Sequence, residues 1–409
     1  MIALALPPPA WPPVAIAAAT PPLMVSGAAA LGLWLAASIL LGLEPRRRRG
    51  PVGFVVLAGL AFAVALAPLA RPGWAPLAAG LVTAALARDR EDPLHAECAL
   101  KLAWVLGPAL ALSWAGLSLL TLATGTPVAL EQWAVLQLGL DPRFLWSTAL
   151  PLSLLGGLVL LGGAPFNFWV ADVLQGVRPW LAAATVATLQ ISGAAWLCRR
   201  IEGIAGFPAG RELVADLLGV AAVVAFAAGA ATLLVQRRPE RRVGTLASLN
   251  GALMLAALAT GRPPGPLALA LWAGHLALAL AGAASVASFL PTFAGPAPGA
   301  PLFRRHPWSG IAGLYAVASL AGVPGTPGAL LWFESARALA VAGRTSLLLV
   351  MAIAWLAGLT AAMRQWRQAF GIATGEAPRP GVVPLQARLA LWIAALGLVA
   401  VGALGLWRA

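Results

Sequence analysis

Charge is scarce in this sequence. Only 10% of its 409 residues are Asp, Glu, Lys or Arg, while 60% belong to the hydrophobic set and the mean hydropathy is +0.86. Soluble domains carry about a quarter charged residues, so an ordinary soluble protein is excluded. Intrinsic disorder requires low hydrophobicity and is excluded as well. Lysine is nearly missing: Lys101 stands alone, and the formal net charge of +13 therefore rests on arginine. Those arginines lie in short connections between apolar runs, where they set topology, which makes nucleic acid a poor candidate partner. Cysteine is limited to Cys98 and Cys198, both at the edges of apolar runs and without CxxC or Cys/His spacing. They give neither a metal site nor a disulfide framework and read as small buried hydrophobes. No GxGxxG, Walker A or HExxH pattern occurs, so no cofactor, nucleotide or redox centre is expected in this chain. The first twenty residues lack a basic segment and contain Pro7, Pro8, Pro9, Pro12 and Pro13, which argues against a cleaved signal peptide and for an irregular lead.

What is present is a succession of apolar runs of about twenty residues, the length that crosses a bilayer as a helix. Runs and breakers together predict about twelve transmembrane helices, near residues 22–43, 51–69, 74–88, 98–123, 146–168, 181–199, 213–236, 243–261, 265–292, 309–341, 346–369 and 386–407. The expected fold class is an all-α polytopic membrane protein. With twelve crossings, the arginine-dense connections at 46–49, 88–90, 237–242, 304–305 and 364–367 all fall on one side. The positive-inside rule makes that side cytoplasmic, in a bacterial-type inner (plasma) membrane, and leaves both termini on the non-cytoplasmic face. The connection with Arg199, Arg200 and Arg211 falls opposite.

Two runs do not read as plain spanning helices. Residues 309–341 are too long for one straight crossing and contain GVPGTPG at 322–328, with Pro324 and Pro327 at mid-membrane depth. A broken helix is the physical answer, with its freed backbone groups satisfied inside protein. The run ending in APFNFW at 164–169 likewise carries Gly156, Gly157, Gly162, Gly163 and Pro165. If the two runs are counterparts, 51–199 and 213–369 each hold five helices with the fourth broken. An odd number of helices inverts the second copy relative to the first. The expected organisation is a lead and first helix at 1–50, a first repeat at 51–199, a connection at 200–212, an inverted second repeat at 213–369 and a final helix at 370–409.

Several segments keep a recognisable order. APFNFWVADVLQG at 164–176, placed in a cytoplasmic connection, is similar to the PFHFW-PDVYxG signature of the antiporter-like N subunit of respiratory complex I, the proton-pumping NADH:quinone oxidoreductase. AECALK at 96–101 resembles that family's EAALKY, RRVGTLASLNGALM at 241–254 resembles KRLLAYSSIAHAGY, and SLAGVPGTPG at 319–328 resembles SLxGIPPTAG. The resemblance spans about residues 50–405, with DVLQG favouring the N type and PGTPG closer to the M, L, Mrp-antiporter and membrane-hydrogenase relatives. Family members usually have about fourteen helices, so the amino-terminal part here is shorter by about two.

The resemblance implies a proton path built from a glutamate and several lysines at mid-depth. Residue by residue, the lysine of the first broken helix corresponds to Leu160, that of the next helix to Gln190, and the lysine or glutamate of the second broken helix to Trp332. The glutamate falls near Leu77, and the histidines of SSIAHAG and PFHFW correspond to Gly251, beside Asn250, and to Asn167. Leucine, glutamine and tryptophan cannot titrate, so this chain reads as a degenerate member. His275 and Glu334 remain as candidate protonatable groups at depth, where an ionised side chain costs about 2.5 kcal/mol or more. The plain reading of His275 is a neutral imidazole hydrogen-bonded to a neighbouring helix. Glu334 lies two residues beyond Trp332, which turns it about 200° around the helix. Lys101 and Glu97 sit near the cytoplasmic face, where snorkelling or pairing accounts for them. Any residual polar route would use His275, Asn250, Gln190, Ser192 and water. Most of the 17 tryptophans, including Trp74, Trp104, Trp146, Trp169, Trp180 and Trp308, fall at helix ends, as interfacial anchors do. Small residues such as Gly229, Gly274, Ala281, Gly282, Ala395 and Gly397 suit lateral contact with other membrane proteins.

Three functions are compatible with these features. First is a non-catalytic membrane subunit of a complex I-like assembly, whose quinone, FMN and iron–sulfur clusters would belong to partner subunits. Second is a subunit of an Mrp-like, hydrogenase-like or bicarbonate-uptake ion transporter. Third is a lipid-linked transferase, which needs acidic residues in large external loops and finds only Glu131, Asp141, Glu202 and Glu212.

Overall fold

The computed structural model describes residues 93–126, 143–204, 208–289, 306–370 and 385–406, together with isolated positions near 79–86 and at 132, 135 and 303. The helices expected at 22–43, 51–69 and 74–88, and Leu77 with them, lie outside or almost outside these residues. Eleven helices are described and no strand: α1 (Pro93–Thr124), α2 (Arg143–Leu160), α3 (Phe168–Gly176), α4 (Pro179–Ile204), α5 (Pro208–Val235), α6 (Pro239–Leu258), α7 (Pro266–Ala287), α8 (Pro307–Leu320), α9 (Pro327–Val341), α10 (Thr345–Phe370) and α11 (Leu385–Leu406). Six of them (α1, α4, α5, α7, α10 and α11) are long and apolar enough to cross a membrane. The chain is a polytopic all-α membrane protein.

Proline at the first helical turn recurs because its missing N–H would be unpaired there in any case. It starts α6, α7, α8 and α9. This explains why α6 begins at Pro239 rather than at the expected 243. At the far end of α4 the Arg199–Glu202 pair, 3.0 Å apart, sits beyond the expected end at 199, and the helix runs on to Ile204.

Burial sorts the helices into inner and outer ones. In α4, 94% of the most apolar window is buried, against 28% in α1 and 39% in each of α5, α10 and α11. α6 is buried from Pro239 to Leu258 at nearly every residue, and packs against α3, α4, α5, α7 and α9. Glycines let its backbone approach neighbours closely. A Cβ on Gly244 would sit 2.6 Å from the Ala171 Cα of α3, and one on Gly251 would collide with the Leu161 carbonyl. Gly229, Gly274, Ala281, Gly282, Ala395 and Gly397 are likewise buried inside this chain. A Cβ on Gly282, for example, would lie 2.6 Å from Ala316. The close approaches of Gly229 and Gly282 serve packing within the chain.

Both expected helix breaks are present, and both use one motif. α2 ends at Leu160, where Gly162 takes a φ of +71°. Gly162 N–H donates to the Val159 carbonyl and Gly163 N–H to that of Leu158, each at 3.0 Å. After α8, Gly322 takes φ +71°, its N–H donates to Ser319 O at 3.1 Å, and Val323 N–H donates to Ala318 O at 2.9 Å. This pair of bonds with a left-handed glycine is the Schellman termination. The break is thus made by glycine, whereas Pro165 and Pro324 sit exposed in the turns and Pro327 starts α9. The segment expected to be a cytoplasmic connection is instead largely the short helix α3. Its Trp169, Val170, Ala171, Val173 and Leu174 are buried against the bundle.

Gly251→Ala should force apart α6 and the first break. A loss of about 1–3 kcal/mol is expected, the usual cost of overpacking. Thermal unfolding of the detergent-solubilised chain measures it, and an unchanged midpoint would contradict the close packing described.

Candidate functional site

The two breaks free carbonyl groups in the protein interior, where an unpaired polar group costs several kilocalories per mole in an apolar medium. Side chains of neighbouring helices bind them. At the first break, Gly193 of α4 lets α4 lie against α2, since a Cβ there would be 2.7 Å from the Gly157 carbonyl. One turn earlier on α4, Gln190 Nε2 donates to Leu161 O at 2.9 Å and to Ala247 O of α6 at 3.1 Å. Trp169 Nε1 donates to Val159 O at 2.9 Å.

The second break is tied in the same way. Asn250 Nδ2 donates to Leu246 O and to Leu320 O, both at 2.9 Å. Trp355 Nε1 of α10 donates to Gly322 O at 2.9 Å. The start of α9 is held by Gly328 N–H, which donates to Ser319 Oγ at 3.2 Å, and that hydroxyl shares a 3.0 Å hydrogen bond with His275 Nε2. His275 is fully buried. α6 therefore touches both breaks, through Gly251 on one side and Asn250 on the other.

Leu160, Gln190 and Trp332, the positions expected to match the relay, carry neutral side chains. Leu160 is completely buried, and Gln190 serves as the capping amide. Trp332 is 3% exposed, with ring centroids 5.8 Å from Phe226 and 6.4 Å from Trp355. A Cβ on Gly322 would collide with its indole, so this ring fills the space beside the second break. Ser192, a member of the expected residual route, donates to the Thr188 carbonyl of its own helix at 2.7 Å. Oδ1 of Asn250, Oε1 of Gln190 and Nδ1 of His275 are buried without a hydrogen-bond partner.

Two expectations need correction. Glu334 is not in the interior: its side chain is 55% exposed and pairs with Arg337 at 2.8 Å on the outer face of α9. The rotation past inward-facing Trp332 puts it there. Trp169 is not an interfacial anchor but a buried donor, 1% exposed. Trp104 and Trp308, by contrast, are 73% and 70% exposed.

Lys101 pairs with Glu97 at 2.7 Å and lies 3.9 Å from Asp172, which in turn meets Arg241 at 3.0 Å. Arg241 also donates to Gln175 Oε1 at 2.8 Å. The network joins α1, α3 and α6 at their shared end and leaves Lys101 half exposed, away from the two breaks. Ser319 and Trp355 were not singled out from sequence. Ser319 carried a weak signal, the only hydroxyl just ahead of the GVPG turn, and Trp355 carried none.

No protein-family model matches the chain. Its fold is shared with chains of several solved membrane complexes. A chain of respiratory complex I from Thermus thermophilus with bound aureothin superposes with a TM-score of 0.72 at 23% identity, covering 93% of this chain and 84% of that one. A chain of the Mrp complex of a Dietzia species gives 0.74 at 16% identity, covering 94% and 80%. One from an archaeal membrane-bound sulfane sulfur reductase, described as a respiratory membrane complex, gives 0.70 at 17%, covering 93% and 79%. In sequence, the chain is 30% identical over 269 residues to NADH-quinone oxidoreductase subunit N 1 of Solidesulfovibrio magneticus. That match takes in 62% of this chain and 56% of the relative, little more than half its length. The resemblance read from the motifs is borne out: the chain is similar in sequence to a subunit N and in fold to membrane chains of complex I, the Mrp complex and the sulfane sulfur reductase.

Gln190→Leu should leave the buried Leu161 carbonyl without this donor and destabilise the protein by about 1–3 kcal/mol. The midpoint of thermal unfolding in detergent, compared with that of wild type, tests the capping role.

Proposed function

We propose that the chain is an integral membrane subunit of a complex I-like respiratory assembly, similar to the N subunit but without its lysine and glutamate relay, and mainly structural. The observation that carries this reading is the occupancy of the relay positions. Leu160, Gln190 and Trp332 hold no exchangeable charge at any physiological pH. Each is taken up in packing or capping around a helix break. A relay needs groups whose protonation can change in response to a neighbouring charge, and His275 is the one titratable side chain beside the breaks among the described residues. Oxidation of NADH and reduction of quinone, with the FMN and iron–sulfur clusters they need, fall to partner subunits in this reading. The arginine-rich ends face the cytoplasm of a bacterial-type cell, and both termini lie on the opposite face. The matched glycine terminations support treating 51–199 and 213–369 as inverted repeats.

A second reading, favoured by the PGTPG sequence at 324–328, makes the chain a subunit of an Mrp-like, hydrogenase-like or bicarbonate-uptake ion transporter. Isolation from native membranes separates the two. Co-purifying subunits that carry quinone or iron–sulfur centres support the first, and a purely membrane-embedded ion-transport complex supports the second.

For the first reading, the assembly is reconstituted into liposomes and its proton-to-electron ratio is measured. His275→Gln and His275→Ala should leave that ratio unchanged while electron transfer continues. A clear drop in the ratio in both variants, with electron transfer intact, would identify a working proton channel and defeat the structural role.

A further inference from the structure

The C-terminal ends of α5 and α10 form one edge. α5 turns Val224 and Leu234 outward, and α10 turns out Ile353, Leu356 and Met363. At the same end both apolar faces finish in arginines, Arg237 and Arg238 after α5 and Arg364 and Arg367 in α10, all exposed. Trp366 lies among them, 43% exposed, with its ring 4.9 Å from that of Phe370. Arg364 Nη1 donates to Leu234 O at 2.7 Å, and Arg242 Nη2 bonds both Arg237 O and Gln368 Oε1, so the two helix ends adjoin and their arginines share one end of the bundle.

Positive charge on this edge is in excess, since Glu240 is the one carboxylate that attracts Arg238 and Arg242. Among the described residues, none of Arg237, Arg238, Arg364 and Arg367 joins a carboxylate, and Arg241 is already engaged by Asp172. Glu240 is the one acidic residue of the two stretches 233–242 and 363–370. Behind the surface lies Arg242, 1% exposed. Its Nη2 donates to Arg237 O at 2.8 Å and to Gln368 Oε1 at 2.7 Å, while its Nε and Nη1 have no partner. A guanidinium held in a poorly solvated place keeps its field, which reaches the surface above it.

We propose that this edge binds the headgroup of an anionic phospholipid, with the phosphate among Arg237, Arg238 and Arg367, the glycerol region beside Trp366, and an acyl chain along Met363 and Leu356. A lipid is favoured over an acidic peptide because the arginines end an apolar face that itself requires hydrocarbon cover. Basic side chains close to the membrane surface each strengthen attraction to anionic lipid, and an indole at headgroup level suits the same boundary.

The test uses the full chain in nanodiscs of phosphatidylglycerol and phosphatidylcholine in equal amounts, followed by native mass spectrometry of the lipid retained. Wild type should keep phosphatidylglycerol over phosphatidylcholine by about tenfold or more. The triple variant R237Q/R238Q/R367Q, which leaves the capping Arg364 and the buried Arg242 in place, should fall towards parity. Arg367→Gln alone, a single surface change, should lose part of the preference. R199Q/R337Q, which removes two arginines elsewhere, should keep it. Parity in wild type, an unchanged preference in the triple variant, or an equal loss in R199Q/R337Q would overturn the proposal. Displacement of the retained lipid by polyglutamate would also overturn it, by assigning the edge to an acidic peptide.

Discussion

A carbonyl released from a helix inside a membrane protein has no bulk water to turn to, and two helices of this chain release several. Everything else about the interior follows from binding those groups. The Schellman bonds around Gly162 and Gly322 satisfy part of each break from within the local backbone. The remainder falls to Gln190, Asn250, Trp169 and Trp355, which reach in from other elements. These donors can reach their targets only because glycines at 193, 244 and 251 bring backbones into contact. Packing and polar satisfaction are therefore one problem here, solved around α6.

The donors chosen are amides and indoles. Such groups keep the same hydrogen-bonding character across the physiological pH range, and His275 is the one titratable partner beside them among the described residues. Charge is pushed to the ends of the helices instead. Glu97, Lys101, Asp172 and Arg241 form one network there, and Asp216 meets Arg344 at 2.6 Å in another place. A chain with so few ionised residues uses them to fasten its rim, where water lowers the cost of holding them.

Much of this architecture could be read before any coordinates. Apolar runs located nearly every described helix, because a bilayer demands about twenty apolar residues and breakers end them. Gly and Pro clusters located both breaks, because few other sequences interrupt a helix at depth. Less legible was which residue does the breaking: the prolines drew attention, yet left-handed Gly162 and Gly322 end the helices. α3 was hidden because its nine residues are too short to show as a spanning run. The capping partners were harder still. Gln190 and Asn250 stood out as polar residues in apolar runs, while Trp355 could not, since an indole in a membrane helix usually signals an interface. Glu334 showed the reverse difficulty, a charge at apparent mid-run that helix rotation carries to the outside.

The contact between Gly251 and the first break also bears on how the protein is made. Leu161 leaves the ribosome well before the α6 residues that close around it, a lag on the order of ten seconds at ordinary synthesis rates. Through that interval the break sits at the membrane with its neighbour α4 absent at first and α6 absent for longer. Ribosomal order thus leaves an early, half-finished break that only later sequence completes. The first half of the chain is a dependent unit during biogenesis, and a nascent protein stalled before α6 would present unpaired backbone to the insertion and quality-control machinery.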